Sequence, residues 1–528
     1  MRLTREVSEM APTIEYQLLL PVIVVFGVAV MGIGAEALVV RRLRFVVQVV
    51  LTSAAIAAAL LFTIRNWMDG DARTIAAVGA IAVDNPALAA WVLLLVGAAG
   101  VLVVATERIS NGGISAFAAQ AAVPPGSPEE NTAENLRAEQ TEIFPLFLFS
   151  LSGMMVLVAA SNLISAFVGL EVMSLPLYLL VGLARRNRLL SHEAALKYFL
   201  LGVSASAVFL YGMALLFGFA GSFDYASIAT AIAAPHSDDT LLYLGTALTA
   251  SGLLFKLGVF PFHAWMPDVY TGAPTAITAY LATCGKITAA YALLRLLFVP
   301  LGALRWSWQL PLTVAAVVSI AFGAVAGLTQ NDVKRGLAYT GIAHAGFLLL
   351  PIAAAATVHT GESVSDLGSV SVLLFYLVAY LPATLGTFAL TLWVHGADGP
   401  DADLASWRGL AYREPFVALA MGVLLLSLIG LPGTGGFTTK LLVLVLAWRN
   451  GMAWAVFAAL AFTLVTAGFY FRVLQAMFLK APLTACPAVP HSKPMSVLVV
   501  LCVIITVYLG LFPTQAGYLI ADMAGLLR

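Results

Sequence analysis

The sequence predicts an all-α integral membrane protein of about fourteen transmembrane helices, with two inverted five-helix repeats and two broken helices. Three observations lead there. Of 528 residues, 61% are hydrophobic and only 10% charged, with a mean hydropathy of +0.96, whereas a soluble domain carries about 45–50% apolar and 25% charged residues. The apolar residues gather in runs of roughly the 20 residues that a helix needs to cross hydrocarbon. Two of those runs are interrupted by glycine and proline beside a lysine, and irregular backbone at membrane depth is tolerated only inside protein or beside water. A chain this apolar cannot cover its own surface with polar groups, which excludes a cytosolic enzyme, a disordered scaffold and a nucleic-acid binder. The 27 basic and 27 acidic residues balance, so no polyanionic partner is implied.

The runs fall near 14–34, 43–64, 87–106, 143–160, 161–183, 194–219, 240–262, 275–299, 311–328, 334–356, 369–395, 412–432, 450–471 and 495–518. They are too long, and too little alternating, for an outer-membrane barrel. The first is too long for a signal-peptide core and no small-residue cleavage motif follows it, so direct insertion into a bacterial plasma membrane is expected. Fourteen crossings place both termini on one side. Arg41, Arg42, Arg44, Arg108, Arg137, Arg185, Arg186, Arg188, Lys334, Arg335, Arg408, Arg413, Arg472, Lys480 and Lys493 fall in one set of loops; Arg2, Arg5, Arg65, Arg73, Arg305, Arg449 and Arg528 fall in the other. The richer set is expected to face the cytoplasm, with both termini outside. The stretch 107–142, with Pro124-Pro125-Gly126 and several acids, reads as a solvated cytoplasmic excursion. The chain divides into 1–142, with three helices and that excursion; 143–310 and 311–480, one repeat each; and 481–528, a final helix.

Five basic residues remain inside the runs: Lys197, Lys256, Lys286, Arg295 and Lys440; Glu171 is the acid in mid-run. A basic side chain at a helix centre costs roughly 2.5–3.5 kcal/mol on insertion scales, so four lysines cost on the order of 10–14 kcal/mol. Packing gives no reason to accept that cost, whereas ion and proton paths do. Arg295, near a run end, is expected to snorkel, and Glu36 reads as a boundary charge beside Arg41 and Arg42. Lysine suits proton exchange, because an ammonium that loses water titrates closer to neutrality and a nearby carboxylate reverses the effect. Glu193 and Lys197, four residues apart, could instead form an ordinary helix pair.

Pro261 follows Lys256 by five positions, and Pro432, Gly433, Gly435 and Gly436 precede Lys440. Each should break its helix, and breaks in corresponding segments of two halves point to an inverted-repeat core. The breaks lie five runs apart, and an odd repeat length forces opposite topology. His263 lies just past the first break, and His is a proton shuttle near neutral pH. Thr340 and His344 share a helix face in the tenth run, where a hydrogen-bonded core histidine is the competing reading; Tyr376 and Tyr380 share one in the eleventh, where packing is favoured. Gly32-Ile-Gly-Ala-Glu-Ala37 matches a dinucleotide-binding pattern, but it ends a membrane helix and follows no strand. No phosphate-binding loop is present. Cys284, Cys486 and Cys502 form no metal or iron–sulfur spacing.

Four stretches carry a family resemblance: Phe167-Val-Gly-Leu-Glu-Val-Met-Ser-Leu-Pro-Leu-Tyr178, Ala194-Ala-Leu-Lys-Tyr-Phe199, Lys256 through Phe262-His-Ala-Trp-Met-Pro-Asp-Val-Tyr-Thr-Gly-Ala-Pro274, and Gly327-Leu-Thr-Gln-Asn-Asp-Val-Lys-Arg-Gly-Leu-Ala-Tyr-Thr-Gly-Ile-Ala-His344. Together they resemble the proton-pumping, antiporter-like subunits of respiratory complex I, strongly over 143–480 and loosely outside it. Members with glutamate at the position of Lys440, and members that continue past their membrane helices into a long lateral helix, match less well. The resemblance implies a non-redox subunit of NADH:quinone oxidoreductase with no cofactor in this chain. NADH, FMN, iron–sulfur clusters and quinone would be handled by partner subunits, and this chain would sit among other membrane-arm subunits in the lipid bilayer. It also implies site roles: Glu171 and Lys256 as the key pair, Lys286 as the connecting site, Lys440 exchanging protons with one side, His344 or His263 relaying, and Lys197 matching a further family lysine. A stand-alone or Mrp-like cation/proton antiporter, and a passive scaffold or quinone-binding membrane subunit, are the competing classes.

Overall fold

The computed structural model describes residues 15–69, 73–107, 115–118, 123–124, 127–129, 132, 140–185, 188–235, 238–355, 368–394, 403–482 and 492–521. Pro125, Gly126, Arg108, Arg137, Arg186, Cys486 and the chain ends, on which part of the topology reading rests, lie outside them.

The apolar runs fold as helices: α1 (Tyr16–Leu38), α2 (Arg41–Met68), α3 (Asn85–Thr106), α4 (Ile143–Val158), α5 (Leu163–Val181), α6 (Arg188–Ala220), a short α7 (Tyr225–Ala233), α8 (Thr240–Leu257), α9 (Trp265–Gly272) and α10 (Thr275–Tyr280). A π-helical turn (Leu281–Gly285) then leads into α11 (Lys286–Phe298). The second half holds α12 (Arg305–Leu328), α13 (Val333–Ala354), α14 (Ser369–Val394), a single turn α15 (Leu410–Arg413), α16 (Pro415–Ile429), α17 (Gly435–Arg449), α18 (Ala453–Leu479), α19 (Lys493–Leu511) and α20 (Pro513–Ala521). Among the described residues, 12 helices are long and apolar enough to cross a membrane, and α4 and α16 are shorter apolar helices. Side-chain caps start several of them: Asp84 accepts from Ala87 N, Asn162 from Ser165 N and Asp332 from Arg335 N.

Helix pairings recur in the two halves. α4 packs on α5 and α12 on α13; α6 packs on α8 and α9, and α14 on α16 and α17; α11 packs on α4 and α8, and α18 on α12 and α16. The connectors match too. Tyr225 N donates to Ser161 O at 3.2 Å, and Leu404 N to Asn331 O at 2.8 Å. In the centre, the spans Thr275–Phe298, Val333–Ala354 and Ser369–Val394 are buried along nearly their whole length, so their apolar side chains meet protein rather than lipid.

Several sequence expectations need correction. The first break comes at Gly258, not Pro261: Gly258 takes φ +76°, a left-handed value that glycine adopts without strain, and ends α8 after Leu257. Likewise Gly430, at φ +92°, ends α16 two residues before Pro432. Arg295 does not snorkel. It is buried, donates to Val158 O at 3.1 Å and pairs with Asp84 at 2.6 Å, because α3, α4 and α11 converge there. Lys334, counted with the loop charges, is also buried. The 107–142 stretch is not wholly solvated: Ala118 N donates to Leu183 O and Arg185 N to Ala116 O, and Phe117 is buried. Glu36 behaves as expected of a boundary charge, 3.6 Å from Arg44, with Gln48 and Thr141 donating to it. A hairpin of β1 (Thr74–Ala76) and β2 (Ile81–Val83) joins α2 to α3; its three-residue strands carry too little pattern to read from sequence.

Candidate functional site

The site begins where two helices stop. α8 ends at Gly258 with Lys256 in its last turn, and α9 restarts the chain at Trp265, whose indole Nε1 donates to Phe255 O at 2.8 Å. α16 ends at Gly430, and from the following α17 the Lys440 amine donates to Leu428 O at 2.9 Å and Ile429 O at 2.8 Å. Each break frees last-turn carbonyls, and in each a side chain from the resumed helix supplies a donor. The breaks thus bring polar backbone and buried cations to the middle of the bundle.

Around Lys256 the walls are aromatic. Its Nζ lies 5.2 Å from the Tyr178 ring centroid, 5.3 Å from that of Tyr198 and 5.7 Å from that of Phe255. Ring faces attract a cation without offering it a proton acceptor. One hydrogen bond is made, to the Tyr178 hydroxyl at 3.3 Å. Tyr178 lies on α5 seven residues after Glu171, two helical turns along the same face. Glu171 interacts electrostatically with both Tyr178 and Lys256. It forms no direct ion pair with Lys256 among the described residues, and its Oε1 is buried without a hydrogen-bond partner. The carboxylate and amine are therefore close enough to sense each other but not neutralised by contact.

Lys286 opens α11, directly after the π turn, and is 2% exposed. Its amine donates to Gly341 O of α13. A Cβ at position 341 would stand 3.4 Å from the Lys286 Nζ and 3.2 Å from Met266 Cε, so the amine and the Met266 methyl both pack close against this glycine. Met266 also approaches Gly258, which places α9 between the Lys256 and Lys286 regions. The stacked pair Tyr198–Trp265, with centroids 4.9 Å apart, and Tyr270, whose buried hydroxyl has no partner, continue that bridge.

Three residues after Gly341 comes His344. Its Nδ1 is 2.7 Å from the Tyr376 hydroxyl, its ring centroid 5.1 Å from that of Tyr380, and its buried Nε2 has no partner. It feels the charges of Lys286 and Lys440. Two small cavities meet at this histidine. One is lined by Tyr270, Thr340, Gly341, His344, Tyr380 and Thr384, the other by His344, Tyr376, Tyr380, Ser427, Thr439 and Lys440. Each has room for about one water and several polar groups to hold it. The arrangement suits stepwise proton exchange from Lys286 through His344 to Lys440.

The structure thus sets Glu171, Lys256, Lys286, His344 and Lys440 along a succession of neighbouring groups: Glu171 with Lys256, Lys256 with Lys286 across Met266, Lys286 on the Gly341 carbonyl, and His344 sharing a cavity with Lys440. Two nominated residues lie off it. His263 is half-buried against the rings of Phe260 and Phe322. Lys197 has a side chain 43% exposed and bridges Glu193 at 2.7 Å and Asp268 at 2.8 Å; Asp268 also meets Arg335 at 3.0 Å. The ordinary helix pair weighed for Glu193 and Lys197 is what forms. Sequence reading missed Tyr178, Tyr198, Trp265 and Tyr270. Of these, Tyr178 carried a usable signal in its seven-residue spacing from Glu171; the others show only as aromatics among many. Among the described residues, no group of three His, Cys, Asp or Glu side chains could hold a metal ion.

Residues 160–466 match a family described as NADH:quinone oxidoreductase/Mrp antiporter, TM. The NADH-quinone oxidoreductase subunit N of Cutibacterium acnes is 43% identical over 95% of this chain and 94% of its own length. That of Acidothermus cellulolyticus is 46% identical over 95% of each. A chain in the structure of respiratory complex I from Thermus thermophilus with bound aureothin superposes with a TM-score of 0.74 at 30% identity, covering 96% of this chain and all of that one. A chain of the Mrp complex from Dietzia sp. reaches 0.76 at 19% identity, which shows a shared fold. The chain belongs to the NADH:quinone oxidoreductase/Mrp antiporter membrane family and, within it, to the NADH-quinone oxidoreductase N subunits.

Proposed function

We infer that this multi-pass membrane protein is a membrane-arm subunit of NADH:quinone oxidoreductase. It translocates protons across the bacterial plasma membrane while electrons pass from NADH through FMN and iron–sulfur clusters in other subunits to quinone. The observation that carries this reading is the row of three buried amines, one unpaired carboxylate and a histidine threaded through two helix breaks. In the proposed path, Glu171 approaching or leaving Lys256 alters the proton affinity of that amine, and the change passes to Lys286, then through His344 to Lys440. Lys440 exchanges protons with one side of the membrane. Lys197 and His263 carry no transfer step in this path.

The energies are commensurate. Moving one charge across the membrane costs about 2.3 kcal/mol per 100 mV, and a two-unit change in proton affinity is worth about 2.7 kcal/mol. Modest changes in carboxylate–amine separation suffice to drive the step. We further propose that 143–310 and 311–480 are inverted repeats, a reading supported by their recurring helix pairings and connector hydrogen bonds. Both termini would lie outside, with the arginine-rich loops in the cytoplasm. The likeness to the Mrp complex concerns the fold, so it favours no separate antiporter function.

The test uses the complete oxidoreductase in sealed vesicles. Glu171→Ala and Lys256→Ala should assemble and oxidise NADH, but move fewer protons per NADH. Unchanged stoichiometry in an assembled variant would remove that residue from the path.

A further inference from the structure

Resting on the proton-translocation reading, we propose that Lys334 is a further proton-transfer amine, the one that loads the interior row from the membrane face where α13 begins. Lys334 is the second residue of α13 and is 6% exposed. Its neighbours in sequence belong to an outer charged rim: Asp332 caps the helix, and Arg335 pairs with Asp268, which also holds Lys197. Lys334 points the other way. Its amine donates to Ala273 O at 2.6 Å, at the corner where α9 ends.

From there the α13 face leads inward. Positions 334, 337, 341 and 344 are spaced by three, four and three residues, which puts them on one helical stripe. Leu337, Gly341 and His344 line the same cavity as Tyr270 of α9, and the Lys286 amine bonds to Gly341 O. Seven residues of helix span about 10 Å, so Lys334 sits two turns from the Lys286 acceptor. It stands between solvent-facing charges and the first cavity of the row. The step is a proton transfer alone. The neutral amine takes a proton from water at the charged rim, and the ammonium gives one to water on the cavity side. The amine is then neutral again, and no other bond changes.

A purely structural role would be to clamp the α9 corner to α13. Three variants in the complete oxidoreductase separate the two roles. Lys334→Arg keeps a charged donor that does not release its proton, Lys334→Gln keeps a neutral donor, and Lys334→His restores a titratable group. Loading predicts that the Arg and Gln variants assemble and lose most of their proton transfer per NADH, and that the His variant recovers part of it. Wild-type stoichiometry with Arg and Gln overturns the proposal. So does a His variant no better than Arg, or failure of all three to assemble, which would assign Lys334 to the clamp. Lys286→Met, measured in parallel, separates this proposal from the wider one: if it too pumps normally, the interior row itself is wrong, whereas normal pumping by the Lys334 variants alone rejects only the loading role.

Discussion

Two buried cations in this protein illustrate different solutions to the same cost. Arg295 is met at 2.6 Å by Asp84 and makes a second bond to Val158 O, so its charge is settled in place. Lys256 has one long hydrogen bond and an aromatic wall, with its carboxylate held off. The first charge is compensated by direct contact and the second is not, which is what the proposed relay requires of Lys256. Removing one partner of a buried pair leaves an uncompensated charge, at about 3–5 kcal/mol. Arg295→Met should therefore lower the thermal stability of the purified complex markedly, while the double variant with Asp84→Asn should recover part of the loss. An Arg295→Met protein as stable as wild type would show the pair to be incidental. The sequence could mark Arg295 and Lys256 as equally out of place; it could not tell them apart, because Asp84 lies 211 positions from Arg295 and pairs with it only through the packing of α3 against α11.

At the scale of elements, the breaks organise the site, and glycine rather than proline makes them. Gly430 holds φ +92°, where a side chain costs about 1–2 kcal/mol, and a Cβ there would stand 3.0 Å from Lys440 Cδ. Gly430→Ala is expected to destabilise the α16–α17 corner by roughly that amount and to disturb the Lys440 amine, lowering proton transfer per NADH in the complex that does assemble. Equal stability and equal stoichiometry would show that the left-handed turn is dispensable. The existence of both breaks was legible in sequence, since Gly and Pro clusters stood next to lysines. Their positions were displaced by a few residues because proline's constraint is visible in sequence, whereas a glycine's left-handed φ is not. The π turn at Leu281–Gly285, which immediately precedes Lys286, left no compositional trace at all.

For the whole molecule, hydropathy sufficed to read a helical membrane protein and nearly all of its long helices, because the bilayer demands apolar length. It did not reveal which helices face lipid. α1 and α2 expose Leu38, Leu43 and Leu61, while Thr275–Phe298 is enclosed, although both sets are predominantly apolar. The enclosed helices carry Lys286 and His344, and an intramembrane charge is affordable where protein, not hydrocarbon, surrounds it. The decisive measurement is the number of protons moved per NADH oxidised by the vesicle-embedded complex carrying Lys286→Met, the variant that cuts the row at its middle. A relay through this subunit predicts an assembled complex that still passes electrons to quinone but moves fewer protons for each NADH. A stoichiometry equal to that of the unaltered complex would contradict it.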